Sequence, residues 1–222
     1  MPLDPDKLLA LDIPDVEHSY GPKDCILYAL GVGLGQDPTD ENELAFVYEK
    51  NLKVLPTFPV VQGYSAYTFK RPELGITWTH VVHGEHAVQV HAPISPAATV
   101  IGRTRILDVI DKGADKGALI YRLSGDVNPL HAEPAFARAG GYPRPILHGL
   151  ATFGVAGHAL LKSVCGYDPA RLTAMACRFS APVFPGETIR TEIWREGAVA
   201  SFRARVVERD VIAINNGRAE IG

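Results

Sequence analysis

The chain has 222 residues, its 22 basic and 25 acidic side chains give a net charge of −3 with histidine neutral, and 46% of its residues are hydrophobic. This composition excludes collagen-like, disordered and disulfide-scaffold proteins, and the length is sufficient to bury the core of one or two domains. Because the charge is nearly balanced, the broad basic field required for binding a nucleic-acid backbone is missing. Nucleic acid is therefore not an expected partner.

The ends and the apolar stretches of the chain predict neither export nor a membrane span. Residues 1–15 contain aspartates and prolines where a secretory signal has a basic start and an apolar run. The most apolar stretch, 149–165, contains a histidine and a lysine and is shorter than the roughly 20 residues that cross a bilayer. Cys25, Cys165 and Cys177 form no close pair, which predicts reduced core residues. We therefore expect a cytoplasmic protein without membrane contact.

The first half is predicted to form one helix followed by strands. Residues 24–35 (DCILYALGVGLG) have apolar side chains at helical spacing, Asp24 can cap this helix, and glycines end it. The glycines do not complete the G-x-G-x-x-G pattern and they follow a helix, so a phosphate-binding loop is not expected. Residues 87–92 and 99–109 carry the β-branched patterns of strands in a half-buried sheet.

The second half repeats this order. A long apolar helix is predicted at 149–164, and its small residues would let its backbone lie close to a sheet. Turn residues at Pro185-Gly186 and Gly197 separate the strands that follow. These strands are predicted at 173–181, 187–195, 199–208 and 210–220. Two copies of a helix-then-sheet order predict two similar α+β units packed side by side.

A polar cluster lies in residues 121–134 (YRLSGDVNPLHAEP). Asp126, Asn128 and His131 surround the turn-forming Asn-Pro pair, which holds the preceding backbone extended. Such a bend would let the carboxylate and the imidazole face each other. The alternative is an ordinary turn, capped by the aspartate, with the histidine on the surface.

The start of the long helix offers a second polar group. Gly149 is the predicted first residue, and the first amides of a helix have no acceptor within it. An N–H at this positive helix end is suited to stabilise a developing oxyanion. The alternative is that Gly149 only permits close packing.

The segments RLSGDVNPLHAEP and RPILHGLATFGVAGHAL closely resemble the hydratase 2 motif of the MaoC-like (R)-specific enoyl-CoA hydratases, which include the hydratase domains of peroxisomal multifunctional enzymes. DCILYALGVGLG, LKVLPTFPVV, VVHGEH and ILDVIDKGADKGAL are similar to the family's first repeat, so the resemblance covers nearly the whole chain. It implies an α+β double hot-dog fold of two helix-wrapped antiparallel sheets. The first repeat, residues 1–120, would receive the acyl tail, and the second, residues 121–222, would carry the catalytic motif.

The resemblance also implies roles for individual residues. Asp126 and His131 would be the catalytic pair, Asn128 would shape their loop, and Gly149 would offer its N–H to the thioester oxygen. The residues expected to contact acyl-CoA are His83, Gly84, Lys112, the run 126–131 and Phe179. Lys112, helped by Lys116, would supply cations for the phosphates of coenzyme A, although a solvated turn is the alternative.

The implied reaction adds water across the double bond of a trans-2-enoyl-CoA to give an (R)-3-hydroxyacyl-CoA. Coenzyme A enters only as part of the substrate, and no cofactor is expected. Which of Asp126 and His131 is the base stays open, because the two can titrate as a coupled pair. A non-catalytic acyl-CoA-binding protein and an acyl-CoA thioesterase on a similar fold are the alternatives.

Four histidines, His80, His83, His86 and His91, lie close together in the sequence and raise the question of a metal site. HGEH is not the H-E-x-x-H zinc motif, no cysteine is near, and a strand pattern would carry His91 away from the others. No metal is therefore expected.

The chain departs from the family pattern at residues 117–122, where GALI runs directly into YRLSGD. Family members have further strands of the first repeat and a linker between these two motifs. A deletion, an error in the gene model and residues dropped from the sequence would all produce this junction. A first repeat without these strands would have an open sheet edge, which predicts a homodimer. In a eukaryote the family location would be the peroxisome, but no peroxisomal tripeptide ends the sequence.

Overall fold

The structure is a computed structural model, and it describes residues 4–63, 71–77, 81–111, 118–120 and 128–222. Within these ranges the α-helices are α1 (Pro5–Leu9), α2 (Pro22–Gly31), α3 (Glu41–Val47), α4 (Pro134–Ala139) and α5 (Gly149–Val164). The strands are β1 (Val16–Tyr20), β2 (Glu85–Gln89), β3 (Ala98–Gly102), β4 (Val109–Asp111), β5 (Ala118–Ile120), β6 (Leu172–Phe179), β7 (Ile189–Glu196), β8 (Val199–Val206) and β9 (Val211–Ile221). Short 3₁₀ helices occur at Phe58–Val61, Pro72–Leu74, Pro129–His131 and Pro169–Arg171.

The second half forms a helix wrapped by an antiparallel sheet. The sheet order is β2-β6-β9-β8-β7, and α5 packs across β6, β7 and β9. Leu150, Phe153 and Leu160 of α5 are fully buried against the sheet, in one cluster with Met175 and Phe202. This is the hot-dog arrangement that the sequence predicts, and α5 has the predicted bounds.

The first half contributes less sheet. Among the described residues it forms two two-stranded sheets, β1–β3 and β4–β5, while β2 joins the sheet of the second half by pairing with β6. Because parts of the first half lie outside the described residues, the expectation that the first repeat lacks strands stays a prediction. The proposed boundary between residues 120 and 121 stays a prediction.

Two strand predictions in the first half need correction. The predicted strand at 99–109 is interrupted, because β3 ends at Gly102 and the chain is in no strand until Val109. Gly102 pairs with Val16, the first residue of β1, so the ladder has no partner strand beyond it. The strand predicted at 87–92 starts earlier and ends at Gln89, which leaves His91 outside it.

The helix predicted at 24–35 runs instead from Pro22 to Gly31. Proline is favoured in the first helical turn, and the Asp24 carboxylate accepts a hydrogen bond from the Gly21 N–H (2.8 Å). Asp24 therefore caps the helix from its third residue. Gly33 and Gly35 have φ of +92° and +76°, a conformation that ends the helix and favours glycine.

The small residues of α5 permit close packing, as predicted. Their nearest neighbours, however, lie mainly in α2 and in the segment before Phe58 and not in the sheet. A Cβ on Gly154 would lie 2.6 Å from Val32 Cγ1 at the end of α2, and one on Gly157 would lie 2.7 Å from Thr57 Cγ2. The helix backbone is thus pressed against α2 and the segment before Phe58. The three cysteines are buried and unpaired, as predicted. No helix in the described part of the chain is long and apolar enough to cross a membrane.

Candidate active site

A cavity of about 250 Å³ lies at the N-terminal end of α5. Most of its wall comes from segments 81–84, 146–149 and 179–183 together with the end of the 3₁₀ helix Pro129–His131. The residues assigned from sequence that line it are His83, Gly84, His131, Gly149 and Phe179. Five positions from four separate parts of the sequence are thus brought to one place. Asp126 and Lys112, and with them Lys116 and His80, lie outside the described residues.

The loop before His131 is held by Asn128. This residue is 3% exposed, and its Oδ1 accepts a hydrogen bond from the Leu130 N–H (3.1 Å), which caps the 3₁₀ turn. The Leu130 carbonyl accepts in turn from the Ile146 N–H (3.3 Å). The turn is therefore fixed to the segment that leads into α5.

The imidazole of His131 is oriented by the same segment. Its Nδ1 lies 3.0 Å from the carbonyl oxygen of Ile146, which is a hydrogen-bond acceptor. Nδ1–H therefore donates, and in the neutral ring Nε2 is the acceptor nitrogen. The ring also lies beside His148, with 5.0 Å between the centroids at 53°. The sequence motifs point to no role for His148, and its signal is its position directly before the first residue of the helix.

The backbone of Gly149 opens α5. None of the described residues accepts a hydrogen bond from its N–H, while Ala151 and Thr152 both donate to the His148 carbonyl. The N–H therefore lies at the positive end of the helix dipole, and Gly149 lines the cavity. The Phe179 ring lies next to it, 3.5 Å from where a Cβ would stand.

The Phe179 ring is the first of three aromatic rings in successive contact. The His83 ring lies 5.2 Å from the Phe179 ring and also 5.2 Å from the His86 ring, edge-on in both cases. The Gly84 carbonyl accepts from the Phe179 N–H (2.9 Å), which fixes this contact at the start of β2 and the end of β6. Burial lowers the pKa of His86 to about 4, with smaller contributions in the same direction from the neighbouring His83 and His148.

His86 was considered in the sequence only as a possible metal ligand. A signal for its burial was available, because strand alternation puts it on the same face as Val88. His91 is exposed beyond the end of β2. Among the described residues, no group of three or more histidine, cysteine or acidic side chains is arranged to hold a metal ion.

The cavity combines two chemical capacities. An imidazole with a fixed tautomer can move a proton, and an N–H at a helix start can stabilise negative charge on a carbonyl oxygen. The fold and this site define a class of protein: a hot-dog domain with a histidine-lined cavity at the start of its central helix.

Comparison with known proteins agrees with this class. Residues 96–217 match the model of the MaoC like domain, and residues 18–127 match the MFE-2 hydratase 2 N-terminal domain. The chain therefore belongs to the MaoC-like family.

Individual relatives cover almost the whole chain. The peroxisomal enoyl-CoA hydratase 2 of Arabidopsis thaliana is 31% identical, over 92% of this chain and 91% of the relative. The 3-hydroxyacyl-thioester dehydratase Y of Mycobacterium tuberculosis is 32% identical, over 95% and 94%. The crystal structure of a MaoC-like dehydratase from Phytophthora capsici superposes with a TM-score of 0.80 at 27% identity, covering 99% of this chain and 98% of that one.

The alignments also bear on the length of the chain. The alignment with the Arabidopsis protein extends over 282 positions, 60 more than the 222 residues of this chain. That relative therefore has residues that this chain lacks. The position of the gap at 117–122 stays a prediction.

Proposed function

We propose that this protein hydrates trans-2-enoyl-CoA thioesters to (R)-3-hydroxyacyl-CoA. The observation that carries the proposal is that His131 and Gly149, the first residue of α5, line one cavity of about 250 Å³. Hydration next to a thioester requires proton transfer and a donor for the carbonyl oxygen, and these two groups supply them. Relatives named enoyl-CoA hydratase 2 support the choice of reaction.

In the proposed reaction, the oxygen of water forms a bond to C3 while the C2–C3 double bond shifts toward the thioester. Asp126 and His131 hold the water; one takes its proton and the other delivers a proton to C2. Positioned acid–base groups of this kind typically contribute about 10² to 10⁴ in rate. The charge on the thioester oxygen is met by the N–H of Gly149, and loss of one such donor costs about 10² to 10³.

The substrate is proposed to be bound by groups around this centre. Phe179 and His83 form the aromatic wall near Gly149, and Gly84 lines the same cavity and accepts a hydrogen bond from the Phe179 N–H. Lys112 is proposed to bind a phosphate of coenzyme A. Coenzyme A acts only as part of the substrate, and activity that survives dialysis against a chelator would support a reaction without metal or added cofactor.

We propose a homodimer as the assembly. Among the described residues β2 is an edge strand of the large sheet, and an unpaired edge favours association with another chain. Light scattering after size exclusion would give a mass of about twice 24.0 kDa for a dimer, and a single 24.0 kDa species would contradict it.

The proposed compartment is the cytoplasm, or the peroxisome in a eukaryote, and localisation of a tagged chain distinguishes the two.

The decisive experiment follows the ultraviolet absorbance of the conjugated enoyl thioester. Hydration removes this absorbance without releasing thiol, and chiral chromatography of the product identifies the (R) form. An Asp126→Asn protein that hydrates at the wild-type rate would contradict the proposed chemistry. Release of free thiol would identify a thioesterase. Binding without turnover would identify a non-catalytic acyl-CoA-binding protein, the alternative favoured by the shorter length of this chain.

A further inference from the structure

Thr152 of α5 is a buried polar side chain in the wall of the candidate active-site cavity, and the reaction above does not use it. The residue is 3% exposed. Its hydroxyl forms no hydrogen bond within the described part of the chain. Buried polar side chains without a partner are rare in native structures, because they lose their bonds to water on folding. A bound group that accepts a hydrogen bond from this hydroxyl would remove that cost.

The Thr152 hydroxyl differs from an unpaired polar atom inside the core. Thr57 Oγ1 also lacks a partner among the described residues, but it has no accessible surface, and Thr57 is not part of the cavity wall. Thr152 Oγ1 does not belong to this group of inaccessible, unpaired atoms. Because the open space that Thr152 lines is the active-site cavity, its hydroxyl is available to a group bound there.

Helix geometry places Thr152 next to Gly149. The two residues are three positions apart in α5, so they are neighbours on one face of the helix, and both line the cavity. Side chains on a helix tilt toward its N-terminus, so the side chain of Thr152 covers the first turn, which Gly149 opens. The hydroxyl of Thr152 and the N–H of Gly149 therefore belong to the same turn at the same cavity.

The usual internal acceptor for such a hydroxyl is already in use. A threonine inside a helix can donate to the carbonyl four residues earlier, which here belongs to His148. That carbonyl accepts hydrogen bonds from the N–H groups of Ala151 (3.0 Å) and Thr152 (3.2 Å). A carbonyl oxygen has two lone pairs, so these two backbone donors leave the hydroxyl to donate elsewhere.

We propose that the Thr152 hydroxyl donates a hydrogen bond to the thioester oxygen of the substrate, as a second donor beside the N–H of Gly149. This inference rests on the proposed function, because it assumes an acyl thioester in the cavity. As water adds to C3, negative charge develops on this oxygen and both donors stabilise it, while the hydroxyl keeps its proton. The alternative is that Thr152 only fills space at the start of α5.

Steady-state kinetics of hydration test the role of the hydroxyl. Thr152→Val replaces the hydroxyl with a methyl group of similar shape and should lower kcat about 10²-fold. The KM should change little, because the donor acts mainly on charge that develops in the transition state. Thr152→Ser keeps the hydroxyl and should recover most of the rate. An unchanged kcat in Thr152→Val overturns the proposal.

Thr57→Val is the matched control, because it makes the same change at a buried threonine whose hydroxyl is unpaired and does not reach the cavity. It should leave kcat unchanged. Both valine substitutions remove an unpaired buried hydroxyl, so neither should lower the Tm of the ligand-free protein. An equal loss of kcat in both variants would show a general packing effect and overturn the proposal.

Infrared spectroscopy gives a measurement that needs no turnover. The probe is a saturated acyl-CoA with ¹³C at the thioester carbonyl, which binds but cannot be hydrated. Hydrogen bonds lower the stretching frequency of a carbonyl, so the band of the bound probe should lie higher in Thr152→Val than in the wild type and stay in place in Thr57→Val.

The two readouts separate the inference from the proposed function. Equal bands in the wild type and in Thr152→Val would overturn the role of Thr152, even if the wild-type protein hydrates enoyl-CoA. A shifted band in a protein that does not hydrate enoyl-CoA would instead contradict the proposed function and support the contact between Thr152 and the thioester oxygen.

Discussion

His131 Nδ1 lies 3.0 Å from the carbonyl oxygen of Ile146, so a segment leading into α5 sets the orientation of an imidazole that belongs to another loop. The same Ile146 donates its N–H to the carbonyl of Leu130, next to His131. Two hydrogen bonds to one residue therefore fix the imidazole relative to the helix start. The position of the His131 imidazole relative to the start of α5 follows from this connection.

We expect His131→Gln to lower kcat for hydration about 10² to 10⁴-fold, because the amide cannot accept and release a proton near neutral pH. The KM should change little, and the Tm should stay within a few degrees of the wild type. His18→Gln, at an exposed position on β1, is the control. Steady-state kinetics with equal activity in both variants would exclude His131 from the chemistry.

The role of the Gly149 N–H can be tested by removing only that group. Proline is favoured at the first helical position, and His148 has φ −57° and ψ 131°, which suits the residue before a proline. Gly149→Pro should therefore keep the helix but lower kcat about 10² to 10³-fold.

Gly149→Ala is the matched control for this substitution. It adds a Cβ at ordinary contact distance from Phe179, 3.5 Å, and retains the N–H. An equal loss of kcat in both variants would attribute the effect to the added bulk. Near-wild-type kcat in Gly149→Pro would exclude the N–H as the oxyanion donor.

Asn128→Ala should destabilise the protein and also slow hydration. The substitution removes the acceptor for the Leu130 N–H, and loss of such a cap costs about 1 kcal/mol, with more expected at a site only 3% exposed. Asn128→Asp can still accept this hydrogen bond and should recover part of the lost stability. Urea denaturation measures the stability, and an unchanged midpoint for Asn128→Ala would contradict the proposed role in the loop.

A buried carboxylate away from the site predicts part of the acid sensitivity. Glu43 on α3 is 3% exposed and accepts hydrogen bonds from the Gly35 N–H (2.9 Å), Tyr167 Oη (3.1 Å) and Lys162 Nζ (3.3 Å). Burial alone would raise the pKa of Glu43, but the hydrogen bonds from Tyr167, Lys162 and Gly35 outweigh it and hold the pKa below its usual value.

Because the pKa of Glu43 is lower in the folded state than in the unfolded state, its stabilisation is complete above the ordinary value of 4.5 and is lost as pH falls through the folded value. Glu43→Gln should cost about 1.5 to 3 kcal/mol at pH 7, and the difference from wild type should shrink in acid. Denaturation at a series of pH values measures this. Glu41→Gln, exposed on the same helix, should show neither effect.

The second half of the fold was predictable because each element carries its own signal. The apolar run at 149–164 begins and ends where α5 does, and the four following strands lie within two residues of their predicted bounds. These signals are local in sequence. The same holds for His131 and Gly149, which were identified from the motif and line one cavity.

The contacts of His86 were not predictable, because they depend on strand register. Pairing of His86 with Cys177 in β2 and β6 brings the HGEH segment beside Phe179, a residue more than 90 positions away. No periodicity specifies such a long-range register, which is set by packing of the whole sheet. The predicted end of β3 was wrong for a related reason, because the length of β1 limits the ladder. The predicted start of α2 was wrong for a local reason, because the helix begins at Pro22.

The close approach of α5 to α2 gives a last prediction, on stability. A Cβ at position 154 would lie 2.6 Å from Val32 Cγ1 and 2.7 Å from Tyr28 Oη, which is closer than side-chain carbons pack. Gly154→Ala should therefore destabilise the protein by about 1 to 3 kcal/mol, although alanine gains up to about 1 kcal/mol in helix propensity. Gly31→Ala is the matched control, because the last residue of α2 has nothing within 4 Å of an added Cβ. Gly31→Ala should leave the free energy of unfolding unchanged or raise it. Chemical denaturation measures both variants, and a gain in stability for Gly154→Ala as well would show that the two helices separate easily.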